Sequence, residues 1–426
     1  MTKTSQYTPP KELDKFIDKL AESTTETQRP MLVFDMDGNF AIGYSLKPGN
    51  SLKLNPGDDP EAQNIPFGSN IQELLDKEII EPGIFAQKNL DIRVPEEVVR
   101  LMNENVADDA HPHRKFDIVV LTSRSSEGLL TVLEESGVEH PEKLTLVADS
   151  GANIYVGGKR QDVRSLDAEE ADFLKGMEKV KIDLEEKVDS IITENGFNPD
   201  NRPALFLEHK TIAKNIHWKH TIEHYGQARG SKLDMEITAA VQEAVQAYIV
   251  ENSPKKDTKP IFKMLDGPNT VEVKVGSVNK GDGLRAIIEA AATENYKPSA
   301  ILYSGDDVCK MSDGKPSPGT EHAAFVAAPQ LQKEYRIPIY TAHTHHPVSN
   351  KLGDPNAVPN PDLAASLLGI KPDIVVPDPK ANAELVVKIT EASRERAAMA
   401  AQSDSGNGWR KAVANENGKQ ETKKSR

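Results

Sequence analysis

Short apolar runs followed closely by small polar or acidic residues are the dominant pattern of this chain. Three runs have this form: Met31-Leu32-Val33-Phe34 before Asp35-Met36-Asp37-Gly38, Ile118-Val119-Val120-Leu121 before Thr122, and Ile301-Leu302-Tyr303 before Gly305-Asp306-Asp307. Such runs are typical of strands buried in a parallel sheet. Because ligands of open α/β sheets bind at the carboxyl ends of the strands, we expect these three polar ends to converge.

The alternation of strand and helix patterns predicts the domain organisation. Residues 28–165 and 273–375 alternate such runs with helical stretches, which predicts an α/β core with a doubly wound, Rossmann-like parallel sheet. Residues 43–95 are rich in Pro, Gly and Asn and predict a loop-rich insertion. Residues 166–272 combine long charged helical patterns with short strand patterns, which predicts an inserted α/β cap domain.

The two ends of the chain and its composition narrow the class of protein. Residues 1–27 are polar with a weakly helical stretch, and residues 376–426 predict a helix followed, from Ala400, by disorder. A net charge of −14 argues against a nucleic-acid or anionic-membrane partner. The single cysteine, Cys309, and the lack of a visible secretory signal or membrane-spanning run predict a cytoplasmic protein. The sequence leaves the oligomeric state open, with a monomer favoured.

The residues after the apolar runs suit the hydrolysis of a phosphate ester. Asp35 is placed to attack phosphorus and form an aspartyl-phosphate, and Asp37 can protonate the leaving oxygen and then activate water. Asp35, a backbone carbonyl near Asp37, and Asp306 would hold Mg²⁺ through hard oxygen ligands. Thr122 can donate a hydrogen bond to a phosphoryl oxygen. Lys280, at the start of a predicted helix, can neutralise the remaining phosphate charge.

At four places, in the same order, the chain resembles the motifs of the haloacid-dehalogenase phosphatase superfamily. The four stretches are Phe34-Asp35-Met36-Asp37-Gly38, Val120-Leu121-Thr122-Ser123-Arg124-Ser125, Val278-Asn279-Lys280-Gly281 and Gly305-Asp306-Asp307. The resemblance implies that superfamily's core with an inserted cap, Mg²⁺ as cofactor and a phosphoric monoester hydrolase. Two residues have open roles. Asp307 either binds the metal or supports Asp306 from behind, and Arg124 either pairs with a carboxylate or contacts phosphate.

Within this superfamily, the chain resembles the trehalose-6-phosphate phosphatases. Their cap carries Glu-x-Lys and a His-aromatic-basic triplet, and a glutamate precedes the lysine motif. Here these read Glu208-His209-Lys210, His217-Trp218-Lys219 and Val271-Glu272-Val273. Asp149-Ser150-Gly151-Ala152-Asn153 stands at the place of a family motif similar to His-Gly-Ala-Glu. The resemblance implies hydrolysis of trehalose 6-phosphate to trehalose and phosphate, with Glu208, Lys210 and Glu272 holding the sugar hydroxyls.

The resemblance leaves two alternative functions open, and two departures from the family pattern motivate the second of them, a regulatory protein. Asn39 stands where the family has threonine, and residues 308–319 separate Gly305-Asp306-Asp307 from the matching Thr320-Glu321. One alternative is a phosphatase for another sugar phosphate, of the sucrose or glucosyl- or mannosyl-glycerate type. The other is a weakly active, sugar-phosphate-binding regulatory protein.

A histidine cluster near the end of the core invites a zinc interpretation. His343, His345 and His346 precede Pro347, which predicts a loop. No cysteine or acidic residue lies at ligand spacing from them. We therefore expect surface histidines rather than a zinc site.

Overall fold

The computed structural model describes residues 8–25, 27–37, 39, 42–46, 77, 80–82, 91–107, 111–227, 230–254, 260–265, 269–312, 315–345 and 365–421. The chain forms two compact units, which are described separately below. The first contains residues 1–40, 95–120 and 287–426, and the second contains residues 41–94 and 121–286. The core and cap boundaries expected from the sequence stay a prediction.

The described secondary structure alternates strands and helices for most of the chain. The strands, in chain order, are β1 (Met31–Phe34), β2 (Ile42–Leu46), β3 (Ile80–Pro82), β4 (Asp91–Arg93), β5 (Ile118–Leu121), β6 (Thr145–Ala148), β7 (Asn153–Val156), β8 (Lys159–Asp162), β9 (Phe206–His209), β10 (Ala213–His217), β11 (Ile261–Leu265), β12 (Thr270–Lys274), β13 (Ile301–Gly305), β14 (Cys309–Ser312), β15 (Lys315–Pro318), β16 (Ile339–Thr344) and β17 (Ile374–Val376). The helices are α1 (Pro10–Glu22), α2 (Glu96–Ala107), α3 (Ser126–Glu135), α4 (Ala168–Glu194), α5 (Lys219–His224), α6 (Lys232–Asn252), α7 (Lys280–Thr293), α8 (His322–Tyr335) and α9 (Pro379–Glu421).

The first unit is built on parallel strands in the order β17-β16-β13-β1-β5. Phe34 of β1 lies opposite Ser304 of β13 and opposite Val120 of β5. Every residue of β1, β5 and β13 is buried, as expected for strands that are covered on both faces. The predicted α/β class with a mostly parallel sheet is confirmed.

The strand order places β1 at a topological switch point. Its two neighbours, β13 and β5, lie on opposite sides of it and come from distant parts of the chain. In open α/β sheets a crevice forms outside the carboxyl ends of the strands at such a point. Asp35 is the first residue after β1, so it follows the carboxyl end of the strand at this switch point.

Helices at both ends of the chain belong to the first unit. α1 occupies the predicted weakly helical stretch and buries Phe16, Ile17, Leu20 and Ala21, and α9 packs against both α1 and α2. α9 extends to Glu421, through the segment after Ala400 for which composition predicts disorder.

The second unit contains two separate groups of antiparallel strands and a cap-like layer. β6, β7 and β8 pair antiparallel in sequence order. β2 pairs antiparallel with β3 and β4. These short strands are the described part of the predicted 43–95 insertion, whose other residues lie outside the described ranges. The cap-like layer is the antiparallel sheet β11-β12-β10-β9, which matches the strand patterns of the predicted cap.

One face of this cap sheet is apolar and packs with two long helices. The shared core cluster contains Phe173, Leu184 and Val188 of α4, Ile237 and Val241 of α6, Ile216 of β10, and Val271 and Val273 of β12. α4 begins with a capping box between Asp167 and Glu170, which satisfies backbone donors at its start. Because side chains alternate along a strand, the neighbours of these apolar residues face the other side of the sheet. None of the described helices is long and apolar enough to cross a membrane.

The loop between β6 and β7 lies tightly against the start of α7. Gly151 has φ of +104°, and a Cβ there would lie 2.5 Å from the carbonyl oxygen of Asn279. A Cβ on Gly283 would lie 3.0 Å from the Cα of Gly151, 3.2 Å from Leu121 and 3.1 Å from Val147. Two facing glycines therefore let the first turn of α7 approach the carboxyl ends of β5 and β6.

We predict that Gly151→Ala lowers the free energy of unfolding by about 2 kcal/mol or more, because the methyl group meets both a left-handed backbone and a carbonyl oxygen. Gly158→Ala is the matched control. Gly158 has φ of +83° but no atom within 4 Å of the new methyl group, so only the backbone cost of about 1 kcal/mol applies. Urea unfolding of both variants measures the difference. Equal losses would contradict the close approach at Gly151.

Candidate active site

Three carboxylates meet at the carboxyl ends of β1 and β13. Asp35, Asp306 and Glu321 each place a carboxylate oxygen within 4.8 Å of the other two. Asp35 is 5% exposed and Glu321 is fully buried. Like charges this close disfavour one another, and hard carboxylate oxygens are the ligands that Mg²⁺ prefers. The cluster therefore fits a divalent cation, and two of its members, Asp35 and Asp306, are predicted metal ligands.

Glu321 is a member of this cluster that sequence reasoning missed as a ligand. It lies at the N-cap of α8, where the helix dipole favours an anion. A Cβ on Gly305 would lie 2.3 Å from Cγ of Glu321, so the glycine leaves room for the glutamate beside β13. The available signal was its match to the acidic position of the family's fourth motif, obscured by the inserted residues before it.

The inserted residues include two antiparallel strands, β14 and β15. They do not separate Glu321 from Asp35 and Asp306 in space. Asp307 closes the base of this hairpin by accepting a 2.8 Å hydrogen bond at Oδ2 from the backbone N–H of Thr320. The N–H of Glu321 donates to the carbonyl oxygen of Asp307 at 3.1 Å. These contacts favour the supporting role for Asp307, because its carboxylate holds the segment that carries Glu321.

The expectation of surface histidines is wrong for His343 and His345. Each is 1% exposed, because both lie at the buried carboxyl end of β16 between β13 and β17. Their rings are in edge contact, with centroids 5.0 Å apart. His343 Nε2 lies 3.3 Å from the carbonyl oxygen of Asp306 and must be the donor, because a carbonyl only accepts. His346 lies outside the described residues.

In the second unit, Thr122 follows β5 and is held by backbone hydrogen bonds. Its N–H donates to Val147 of β6 at 2.9 Å, and its Oγ1 accepts from the N–H of Arg124 at 3.2 Å. Since Oγ1 already accepts a bond, the hydroxyl proton of Thr122 can be donated to a ligand. Arg124 is half-buried, and its carbonyl oxygen accepts from Asp149 at 2.8 Å.

Lys280 is the first residue of α7 and is only 1% exposed. Asn279 and Asp282 cap this helix: Asn279 Oδ1 accepts from the N–H of Gly281 at 2.8 Å, and Asp282 Oδ2 accepts from the N–H of Asn279 at 2.9 Å. The positive end of the helix dipole and the ammonium of Lys280 both favour an anion nearby. This environment is suited to an anionic ligand.

The predicted sugar-binding residues lie together on the polar face of the cap sheet. Glu208, Asn215 and Glu272 occupy one rung across β9, β10 and β12. Lys210 Nζ lies 3.1 Å from Glu272 and 4.0 Å from Glu208, so one ammonium bridges two carboxylates. Their side chains are 7% exposed for Lys210, 19% for Glu208 and 16% for Glu272, unlike an ordinary solvated ion pair.

Glu208 has the most hydrogen-bond partners of this group. Its Oε2 accepts from Asn215 Nδ2 at 2.8 Å and lies 3.2 Å from His217 Nε2. Burial alone would raise the pKa of Glu208, but hydrogen bonds from His217 and Ser125 and the charge of Lys210 lower it to about 2. Glu208 is therefore an anion across the physiological range.

Asn215 is a second residue that sequence reasoning missed. It is 1% exposed, and its Nδ2 must face Glu208 because a carboxylate only accepts. Its Oδ1 then lies on the other side of the amide and has no hydrogen-bond partner among the described residues. A buried acceptor without a donor costs about 1–3 kcal/mol, so this atom is suited to a ligand hydroxyl.

A strained loop joins the motif after β6 to the cap strands. Asp149, Ser150 and Gly151 all have positive φ, at 53°, 58° and 104°. Oδ2 of Asp149 accepts from both the N–H and the hydroxyl of Thr211, at 2.9 and 2.6 Å. Burial raises the pKa of Asp149, and the bonds from Thr211 offset this only in part. Strain held by such bonds clusters at functional sites.

Comparisons with known proteins report similarity at low sequence identity. No protein-family model and no curated protein sequence matches the chain. Among solved structures, it is similar to the C-terminal domain of Candida albicans trehalose-6-phosphate phosphatase, with 14% identity, a TM-score of 0.45, and coverage of 91% of this chain and 99% of that chain. Aspergillus fumigatus trehalose-6-phosphate phosphatase shows 14% identity, a TM-score of 0.36, and coverage of 89% and 97%.

A further similar structure is the C-terminal domain of the Candida albicans trehalose synthase regulatory protein. It shows 13% identity, a TM-score of 0.38, and coverage of 70% of this chain and 86% of that chain.

We predict that Glu321→Gln raises the dissociation constant for Mg²⁺ roughly tenfold or more, because it removes one anionic ligand of the cluster. Asp307→Asn removes the same charge from a residue that holds Thr320, and its effect should be several-fold smaller. Isothermal calorimetry with Mg²⁺ compares the two variants without any substrate. The assignment of Glu321 as a ligand fails if its variant binds Mg²⁺ as tightly as the Asp307 variant.

Proposed function

We propose that this protein is a Mg²⁺-dependent phosphatase that hydrolyses trehalose 6-phosphate to trehalose and phosphate. The observation that carries the proposal is the cluster of Asp35, Asp306 and Glu321 at the switch point of a parallel sheet. Clustered carboxylates at this position are suited to hold a cation against a phosphoryl group. The bound Mg²⁺ would supply charge neutralisation for the phosphoryl oxygens.

Asp35 and Asp37 would perform the covalent chemistry. A carboxylate oxygen of Asp35 attacks phosphorus, the bond from phosphorus to the sugar oxygen breaks, and Asp37 gives its proton to the departing alkoxide. Asp37 then takes a proton from water, which attacks the aspartyl-phosphate, releases phosphate and restores Asp35. Asp35 directly follows β1, and Asp37 lies two residues further on and is half-buried.

Thr122 and Lys280 are proposed to bind the phosphoryl oxygens. Support comes from connectivity: β5, which ends one residue before Thr122, pairs with β1, which ends one residue before Asp35. The hydroxyl of Thr122 donates one hydrogen bond, and the ammonium of Lys280 offsets charge that develops in the transition state. Arg124 would support this motif through its backbone contacts to Thr122 and Asp149.

The polar face of the cap sheet is proposed to bind the sugar through hydrogen bonds to its hydroxyl groups. Glu208 and Glu272 offer carboxylate acceptors, Lys210 offers donors, and Asn215 offers Oδ1, which has no hydrogen-bond partner within the described part of the chain. Sugar hydroxyls both donate and accept, so a set of this composition suits them. This polar face would belong to the predicted cap at residues 166–272. We also propose that the protein is cytoplasmic.

Release of phosphate from trehalose 6-phosphate, measured with and without Mg²⁺, tests the proposal directly. We expect turnover that chelation removes and Mg²⁺ restores, and the Asp35→Asn variant should lose several orders of magnitude in rate. Faster turnover of sucrose 6-phosphate or a glucosyl- or mannosyl-glycerate phosphate would assign one of those substrates instead. Binding of trehalose 6-phosphate without turnover would identify a regulatory protein, which Asn39 in place of the family's threonine motivates.

We predict that Asp37→Asn slows hydrolysis of the sugar phosphate at least tenfold more than that of p-nitrophenyl phosphate. A sugar alkoxide needs a proton as it leaves, and p-nitrophenolate does not. The ratio of kcat/KM values for the two substrates in variant and wild type measures the effect. Equal losses on both substrates would remove Asp37 from the role of acid.

We predict that Glu208→Ala, Lys210→Ala and Glu272→Ala each reduce kcat/KM for trehalose 6-phosphate roughly tenfold or more, since each leaves buried polar groups without partners. Each should largely spare p-nitrophenyl phosphate, which has no sugar. Lys232→Ala, which truncates an exposed lysine of the same unit outside the polar face, is the matched control. A parallel loss on both substrates would indicate a folding defect, and unchanged selectivity in all three would show that this face does not read the sugar.

A further inference from the structure

Four buried polar residues from distant parts of the first unit form one closed hydrogen-bond network. Asn39 follows the first acidic cluster, Ser304 lies in β13, Thr344 ends β16 and Asn382 lies in α9. Asn39, Ser304, Thr344 and Asn382 are all fully buried. A buried polar network of this kind is rigid when complete and costly when one member is lost.

Asn39 connects this network to the two acidic strand ends. Its Nδ2 donates to the carbonyl oxygen of Asp35 at 3.1 Å and to that of Ser304 at 2.8 Å. Ser304 precedes Gly305-Asp306, and the N–H of Asp35 donates to the Ser304 carbonyl at 3.0 Å. One amide therefore ties the backbone of the proposed nucleophile to the strand that carries Asp306.

Asn382 in turn holds Asn39. Its Nδ2 donates to the backbone oxygen and to Oδ1 of Asn39, both at 3.0 Å. Oδ1 of Asn382 accepts from the hydroxyl of Ser304 at 3.1 Å, and Oδ1 of Asn39 also accepts from Thr344 at 2.5 Å. In this arrangement all four amide protons of the two asparagines have an acceptor, which determines the orientation of both side chains.

We propose that Asn382, from the C-terminal helix α9, is a positioning residue for the active site. Through Asn39 it holds the backbone of Asp35 and the end of β13 in the geometry that the acidic cluster requires. Helix α9 therefore helps to position the catalytic residues, although it begins more than seventy residues after Asp306 in the chain. A small misplacement of catalytic groups can cost about a hundredfold in rate, so the contribution is measurable.

The test compares Asn382→Ala with Leu385→Ala. Leu385 is 1% exposed on the same helix, so its truncation destabilises α9 without touching the network. Assayed well below both melting temperatures, Asn382→Ala should lower kcat at least tenfold with little change in KM, and raise the dissociation constant for Mg²⁺ several-fold. Leu385→Ala should change neither quantity. Equal effects in the two variants would overturn the proposal.

A double-mutant cycle with Asn39→Ala supplies a second readout. If both asparagines act through one network, the double variant should lose no more than about the larger single loss, since either change removes the shared bonds. Losses that multiply would show independent roles and overturn the proposal. If Asn382→Ala does not fold, Asn382→Asp preserves side-chain size and the acceptor for Ser304 but removes both donors, and should give the same pattern.

The kcat and KM comparison rests on the proposed phosphatase function, but the comparison of Mg²⁺ dissociation constants does not. A wild-type protein that binds Mg²⁺ without releasing phosphate would overturn the proposed function. The comparison of Mg²⁺ affinities in the asparagine and leucine variants would then decide the role of Asn382. A wild-type protein that neither binds Mg²⁺ nor releases phosphate would overturn both.

Discussion

The in-register parallel pairing of β1 with β13 determines where the acidic residues of this protein lie. Phe34 pairs with Ser304, so Asp35 and Asp306 both follow the carboxyl ends of adjacent parallel strands. A shift of one residue would turn the side chains of β1 to the opposite faces of the sheet. The buried apolar side chains on both faces make such a shift costly, and the position of the acidic cluster follows from the packing of the sheet.

Repulsion between neighbouring carboxylates is the second constraint on this structure, and it applies at two places in the chain. Asp35, Asp306 and Glu321 bring three carboxylates together, and either a cation between them or protonation of one of them offsets their repulsion. On the cap sheet the opposite arrangement holds, because Lys210 already lies between Glu208 and Glu272. The first group is therefore suited to a metal ion and a phosphoryl group, and the second to uncharged hydroxyls.

Two local features, the inserted residues and Asn39, are accommodated by contacts within the first unit. The inserted residues form their own hairpin, and Asp307 closes its base. Glycines at 305 and 319 leave room for Glu321 and for Asp307. Asn39 accepts two hydrogen bonds from the amide of Asn382. A residue of the C-terminal helix is thus part of the buried network next to the acidic residues.

The sequence by itself determined the buried parallel strands β1, β5 and β13 and their polar ends, because such strands require nearly continuous apolar runs. It also indicated which carboxylates meet, since strands end where such runs end. Glu321, Asn215 and the buried histidines at 343 and 345 were decided only by the tertiary structure. Their positions depend on an inserted hairpin, on the pairing of three cap strands, and on burial between neighbouring strands. These positions depend on contacts between residues far apart in the chain, which the local pattern of apolar and polar residues does not predict.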